Sequence, residues 1–289
     1  MNYFLHLMIL VELYVMLGLS LNLMVGYTGL LTLAHAAFYG IGAYVTALLM
    51  VNLHFGFLPA TLVAVLVAVL LSTIVSLASL RFSGDYFIVA TLAFQVLVFT
   101  VLYNWVSVTR GPFGISNIPK PAFGPIVIDS LPSFAVFGLI VTLLIIGFLT
   151  LVFRAPFGRT IQAIRDDEIA AETLGKNVIS FKMRTVALAS GCAAIAGALY
   201  ATYVTFIDPT SFTVGESILM LSMVIVGGTG NIKGPVVGAG LLILFPELLR
   251  FLSISSSAAA NIRLIIYGTL LVLLMQFRPR GIAGTYEFQ

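Results

Sequence analysis

Apolar residues run in blocks about twenty long, separated by short polar stretches, along nearly all of the 289-residue chain. Read with a window of about 19 residues, the blocks fall near 5–25, 29–51, 57–80, 86–108, 132–153, 184–207, 216–232, 234–252 and 262–278. Blocks of that length cross a hydrocarbon core roughly 30 Å thick at about 1.5 Å of rise per residue. The pattern predicts an all-α polytopic membrane protein of about nine crossings, with eight to ten as the range because 216–232 is short and glycine-rich enough to be re-entrant. It reads as one transmembrane domain, 1–289, with a polar loop, 154–184, inside it.

The interruptions carry their own chemistry. Arg81 to Asp85, the Gly- and Pro-containing stretch from Arg110 to Pro132, and the charged run 154–184 each stop a helix or take it out of the bilayer. Lys and Arg in short loops set orientation. Arg154, Arg159, Arg165, Lys176, Lys182 and Arg184 in the charged run, with Arg278 and Arg280 in the tail, place both on the cytoplasmic side. Nine crossings then put the N-terminus outside and the C-terminus inside, with the loop 109–131 external. Met1-Asn2-Tyr3 has no basic residue ahead of the first apolar block, so that block is expected to remain as a membrane helix.

Composition agrees with this reading and excludes other classes. With 60% hydrophobic and 9% charged residues and a mean hydropathy of +1.12, the chain is far from the roughly 25% charged of a soluble domain. Its net charge of +3 comes mostly from the loop cations, so it reports topology and not a nucleic-acid surface. The single cysteine, Cys192, has no partner, and the three histidines all fall in the first 54 residues, so neither supports a metal cluster.

Two glycine-rich interruptions echo each other. Gly26-Tyr27-Thr28-Gly29 precedes a small-residue run ending Gly40-Ile41-Gly42-Ala43, and Gly227-Gly228-Thr229-Gly230-Asn231 precedes one ending Gly238-Ala239-Gly240. Unwound backbone is tolerated in a bilayer only where protein or a water-filled cavity surrounds it, so paired breaks point to a translocation pathway. Gly26, Thr28, Gly29, His35, Phe38, Gly227, Gly228, Thr229, Gly230 and Asn231 are its candidate residues. The alternative is that the glycines only let helices pack closely.

Within the charged run, Arg165-Asp166-Asp167-Glu168-Ile169-Ala170-Ala171-Glu172-Thr173-Leu174-Gly175 has the parts of a short exposed helix. Asp166 is positioned to cap it, Asp167 and Glu168 suit the positive end of the helix dipole, and Gly175 suits a left-handed residue after the last turn. Its mixed surface of Ile169, Ala170, Leu174, Glu172 and Arg165 fits a groove in a partner protein. The spacing Ala170-Ala171-x-x-x-Gly175 resembles the loop by which ABC importer permeases rest on their ATPases, with Ile169 in place of the usual glutamate.

Several stretches together resemble the branched-chain amino acid ABC importer permeases of the LivM type. They are Leu21 to Gly29 leading into Leu33-Ala34-His35-Ala36-Ala37-Phe38-Tyr39-Gly40-Ile41-Gly42-Ala43-Tyr44, the run from Arg165 to Gly175, Gly227 to Pro235, and Arg278-Pro279-Arg280-Gly281. Thr32 and Ala34 replace the more usual Ser and Gly before His35. The resemblance implies an inner-membrane permease subunit that imports leucine, isoleucine or valine by alternating access. It implies as partners a second, similar permease, two ATPases that bind ATP and Mg²⁺, and an external substrate-binding protein. Urea and short amides are alternative solutes within the same family.

Glu12, Asn22, Gln95 and Asn104 are further polar residues inside apolar blocks; Asp208 and Glu216 border the expected external turn, and Lys233 follows the second break. Interhelical hydrogen bonding is the ordinary use of such groups, and intramembrane ionisable residues such as Glu12 are functional candidates. No nucleophile–base pair and no Gly-x-x-x-x-Gly-Lys-[Ser/Thr] motif occurs, so ATP hydrolysis must be supplied by another chain. A stand-alone secondary transporter would need a coupling-ion site, for which Glu12 and His35 are the only candidates.

Overall fold

The computed structural model describes residues 2–79, 85–123, 126–250, 268–269 and 281–284. Their helices are α1 (Asn2–Thr28), α2 (His35–Asn52), α3 (Phe57–Ser79), α4 (Asp85–Asn104), α5 (Val106–Thr109), α6 (Leu131–Arg154), α7 (Pro156–Asp166), α8 (Glu168–Thr173), α9 (Val178–Val204), α10 (Val214–Gly227) and α11 (Lys233–Arg250). Among the described residues six helices, α1–α4, α6 and α9, are long and apolar enough to cross a membrane, and α10 and α11 are shorter apolar helices. The ninth expected crossing, 262–278, lies outside the described residues except for a helical fragment at 268–269. Arg278 and Arg280 also lie outside them.

Helix α1 is the axis of the bundle. From Val15 to Thr28 every residue is buried, as expected for a helix that is apolar on all sides and enclosed by protein. α6, α7, α9, α10 and α11 all pack on it, while α2 and α3 cover the other side of α9. Close approach depends on glycine where α2 crosses α9. A Cβ on Gly42 would overlap the backbone of Ala194, and one on Gly197 would overlap the backbone of Tyr39 and Ala43. Without a hydrophobic force between helices in lipid, this close van der Waals contact is what holds such a pair. Ser190 of α9 donates to Ser72 of α3 at 2.9 Å and ties the next neighbour in.

One end of the bundle carries α7, α8 and the start of α9, with Arg159 and Arg165 on α7, Lys176 just after α8, and Lys182 and Arg184 on α9. The other end carries two small antiparallel ribbons: β1 (Ile115–Ser116) pairs with β4 (Phe206–Ile207), and β2 (Ala122–Phe123) pairs with β3 (Ile126–Val127). His6 near the start of α1 meets Tyr203 near the end of α9 at 2.6 Å, so the N-terminus lies at the ribbon end. The basic run and the 109–131 loop are therefore at opposite ends, as the sequence predicts.

Two hydropathy blocks are broken within, while α9 begins at Val178, six residues ahead of its block, and α4 ends at Asn104, four short of its own. The block 29–51 becomes helical only at His35: Gly29, with φ +71, ends α1, and 30–34 return into the bundle without helix. The block 216–232 is helical only to Gly227, and Gly228 at φ +104 and Gly230 at φ +84 turn the chain into α11. Hydropathy cannot register either break, because leucine and glycine keep the window apolar whether or not the backbone is wound.

A candidate translocation and coupling site

The two glycine-rich breaks, some two hundred residues apart in sequence, are in direct contact. Asn22, fully buried on α1, donates through Nδ2 to the Asn231 carbonyl at 2.8 Å and accepts through Oδ1 from the Gly230 N–H at 3.2 Å. A Cβ on Gly26 would lie 2.6 Å from the Gly230 nitrogen, so only glycine lets the breaks approach this closely. Asn231 caps α11 by accepting from the Gly234 N–H at 2.7 Å, and its Nδ2 donates to the Ala283 carbonyl. Ile282 and Ala283 donate in turn to the Val226 and Gly227 carbonyls at 3.0 and 2.9 Å, which satisfies the open end of α10. Thr229 is buried in this junction, and Thr28 is also buried and donates to the Leu23 carbonyl at 2.9 Å.

The basic end touches the same junction through one side chain. Arg165, in the last turn of α7, donates from Nη1 to the Gly26 carbonyl at 2.6 Å, and its stem lies against Gly29. It also pairs with Asp166 at 2.8 Å. α7 is amphipathic, burying Gly158, Ile161 and Ile164. It ends at Asp166, so the capping residue of α8 is not Asp166, the expected one, but Asp167. Asp167, with extended backbone, accepts from the Ala170 N–H at 2.9 Å. An aspartate pair gives composition no way to choose between caps; the choice falls where α7 runs out of buried positions.

The far end of α8 closes as its glycine predicts. Gly175 adopts φ +76, its N–H reaches the Glu172 carbonyl at 2.9 Å, and the Lys176 N–H reaches the Ala171 carbonyl at 3.1 Å. That pair of bonds is the Schellman arrangement. Only Ala171 packs inward, against Ile164 and Val178. Ile169 and Leu174 are 76% and 79% exposed, and Ala170 and Glu172 are exposed beside them. Glu168 is held by Lys182 at 2.5 Å. α8 is thus a short knob that leaves two large apolar side chains exposed.

A second junction lies near mid-bundle, where the first turns of α2 and α10 meet. Ser217 of α10 accepts from the Ala36 N–H at 2.9 Å, and Gln95 of α4 accepts from the Ala37 N–H at 2.6 Å. Gln95 also donates to the Phe212 carbonyl at 2.8 Å. Ser217 thus satisfies the helix-end donor of Ala36, and the Ala37 N–H is shared between Gln95 and the Ala34 carbonyl at 3.1 Å. His35 opens α2, meets Ser20 of α1 at 2.8 Å and is fully buried; Phe38 is buried against Phe94. Glu216, expected beside an external turn, instead receives the hydroxyl of Tyr14, which is midway along α1. Asp208 stays at the ribbon end, capping a 3-10 turn through the Ser211 N–H at 3.3 Å. Asn104, in turn, donates to the Thr100 carbonyl one turn back.

Sequence reasoning assigned Gln95 and Asn22 to packing and did not single out Ser217 or Tyr14. Their signal is weak because an amide in an apolar block looks the same whether it joins two helices or caps a broken one. Glu12, buried to 6% exposure at the α1–α6 contact, faces Gly138 with no hydrogen-bond partner among the described residues. The described residues also contain no group of three His, Cys, Asp or Glu side chains placed to hold a metal ion.

Two interrupted helices that begin inside the bundle, joined to a polar element at one end, define a multi-pass membrane protein of the transporter class. The profile of the family described as branched-chain amino acid transport system / permease component matches residues 3–275, and the chain belongs to that family. The LivM high-affinity branched-chain amino acid transport system permease protein of Escherichia coli (strain K12) is 34% identical over 298 residues, covering 94% of this chain and 68% of its own length. A probable LivM of Methanocaldococcus jannaschii is 27% identical over 77% of this chain and 67% of its own. LivH of Salmonella typhimurium (strain LT2) is 24% identical over 96% of this chain and 92% of its own. This chain thus spans about two thirds of its LivM relatives' length and nearly all of the LivH relative's. No solved structure matches it.

Proposed function

We propose that this chain is one of two similar permease subunits of an ATP-binding-cassette importer, and that it carries branched-chain amino acids across a bacterial inner membrane. Its relatives named for that transport come in two kinds, LivM and LivH, which supports a pairing of unlike permeases. The N-terminus and ribbon end face outward, where a substrate-binding protein delivers solute, and the basic end faces the cytoplasm in accord with its Lys and Arg. Nine crossings, a single domain over 1–289, and ATP and Mg²⁺ bound by two partner ATPases complete this reading.

The observation that carries it is the hydrogen bond from Arg165 to the Gly26 carbonyl at 2.6 Å. α7 and α8 form the lever on which an ATPase acts, with Ile169, Ala170 and Leu174 seated in its cleft. Arg165 hands displacement of that lever to the first break, and Asn22 hands it to the second. The breaks yield because their glycines carry backbone angles and contacts that other residues resist, and yielding there changes which side of the membrane the pathway opens to. Gly26, Gly29 and Gly227 to Asn231 are thus the moving joint, with His35 and Phe38 in the wall beside it.

Purifying the tagged chain from its native membrane in mild detergent tests the assembly. Recovery of an ATPase and a second permease of the same family is the expected result. A chain that comes alone and transports without ATP would instead be an ion-coupled secondary transporter.

A further inference from the structure

The outward surface of α3 and α6 consists of bulky aliphatic side chains, among them Leu62, Leu66, Leu70, Leu143 and Leu144, each more than half exposed. Helix contacts in bilayers favour small residues, so this is a face for acyl chains. Between α3 and α6 it opens into a groove of about 410 Å³ whose floor is α9. Val65 and Val69 form one wall, Leu144 and Phe148 the other, and Gly191 and Cys192 lie at the bottom; no side-chain nitrogen or oxygen lines it. Gly191 leaves the room: a Cβ there would already stand 3.5 Å from both Val65 and Val69.

At the basic end of the same face of α9 stands Arg184. It precedes the floor residue Leu188 by four positions and Gly191 by seven, spacings that share one helix face, so its Cα lies about one turn, roughly 6 Å along the axis, from the groove floor, and its side chain reaches on toward the basic end. It is exposed, sits 5.9 Å over the Phe181 ring, and makes no salt bridge among the described residues. Two positions earlier, Lys182 is spent on Glu168. An unpaired cation at the mouth of a dry groove, at the depth where a long basic side chain reaches headgroups, has the charge and position to take a phosphate.

We propose that this groove is a lipid site: it holds an acyl chain of one anionic phospholipid, whose phosphate Arg184 binds. The proposal does not depend on which solute is transported. Native mass spectrometry of the delipidated full chain, titrated with phosphatidylglycerol or with phosphatidylethanolamine, reads it directly. One phosphatidylglycerol binds preferentially; Arg184→Gln lowers its affinity about fivefold, as expected for one basic residue at an anionic lipid surface, and leaves phosphatidylethanolamine unchanged. Gly191→Leu, which fills the groove, abolishes the bound lipid, and Val69→Phe does the same from the wall should the first variant fail to fold. Equal binding of both lipids with no effect of Arg184→Gln overturns the anionic assignment. Phosphatidylglycerol retained by folded groove-filled variants overturns the site. Lipid held by the isolated chain but excluded from the chain paired with its partner permease makes the groove a subunit interface and overturns the proposal as well.

Discussion

Replacing Asn22 by leucine isolates the link between the two breaks, because the side chains are of similar volume and no cavity is created. Lost are the bond to the Asn231 carbonyl at 2.8 Å and the bond from the Gly230 N–H at 3.2 Å. Two hydrogen bonds at a net of about 0.5–1.5 kcal/mol each amount to about 1–3 kcal/mol. Side-chain hydrogen bonds in membrane proteins average about 0.6 kcal/mol because the unfolded chain also finds partners. Here, however, both partners are backbone groups of unwound segments, and orphaned in a dry site each costs about 1–3 kcal/mol. A destabilisation of about 2 kcal/mol is therefore expected, read as a shifted midpoint when the purified chain is unfolded by SDS in mixed micelles. In the reconstituted importer the same variant should keep ATP turnover while moving less solute per ATP, since the lever still moves but only one break follows. A stability change under about 0.5 kcal/mol together with unaltered solute per ATP would refute the argument that Asn22 joins the breaks.

Other substitutions probe separate parts of the account. Gly175→Val places a β-branched residue at φ +76, at a local cost of about 1–2 kcal/mol; solute uptake should fall while membrane yield and monodispersity are kept, and unchanged uptake would remove α8 from the lever. Gln95→Leu removes one of two acceptors from the Ala37 N–H, which keeps the Ala34 carbonyl at 3.1 Å, and the donor to the Phe212 carbonyl; it should destabilise by about 1 kcal/mol in the same micelle titration, with Gln95→Glu restoring only the acceptor half. Glu12→Met removes a buried carboxyl that has no partner among the described residues and should stabilise the chain by about 1–3 kcal/mol. Loss of uptake in that stabilised variant would show instead that Glu12 serves transport.

Much of this was legible in the chain, for reasons that particular residues make plain. Blocks of apolar residues placed α1, α3, α4 and α6 to within four positions, because crossing lipid demands length and little else; α9 begins six residues earlier than its block, since the polar turn 178–183 carries Ser180 and Lys182. The glycine echo marked both breaks, and Gly175 marked the end of α8, because a left-handed residue followed by a polar turn has few other causes. What could not be read was the partnership of distant groups. Nothing in Asn22 says that it meets Gly230 and Asn231, and nothing in Arg165 says that its guanidinium reaches the Gly26 carbonyl past the charged partner next to it. Nor does hydropathy distinguish a wound segment from 30–34, where the chain re-enters the bundle without helix and α2 begins beside Ser20. Glu216 was misplaced for the same reason: once α10 starts inside the bundle, a residue two positions after its first lies midway along α1.

The most direct test of the central claim is uptake of labelled leucine into vesicles that contain this chain, its partner permease and their ATPases, with the substrate-binding protein outside and ATP inside. The account predicts accumulation that needs ATP and every component, and that is lost in Arg165→Ala while ATP turnover persists. Accumulation that continues without ATP, or that survives Arg165→Ala undiminished, would contradict it.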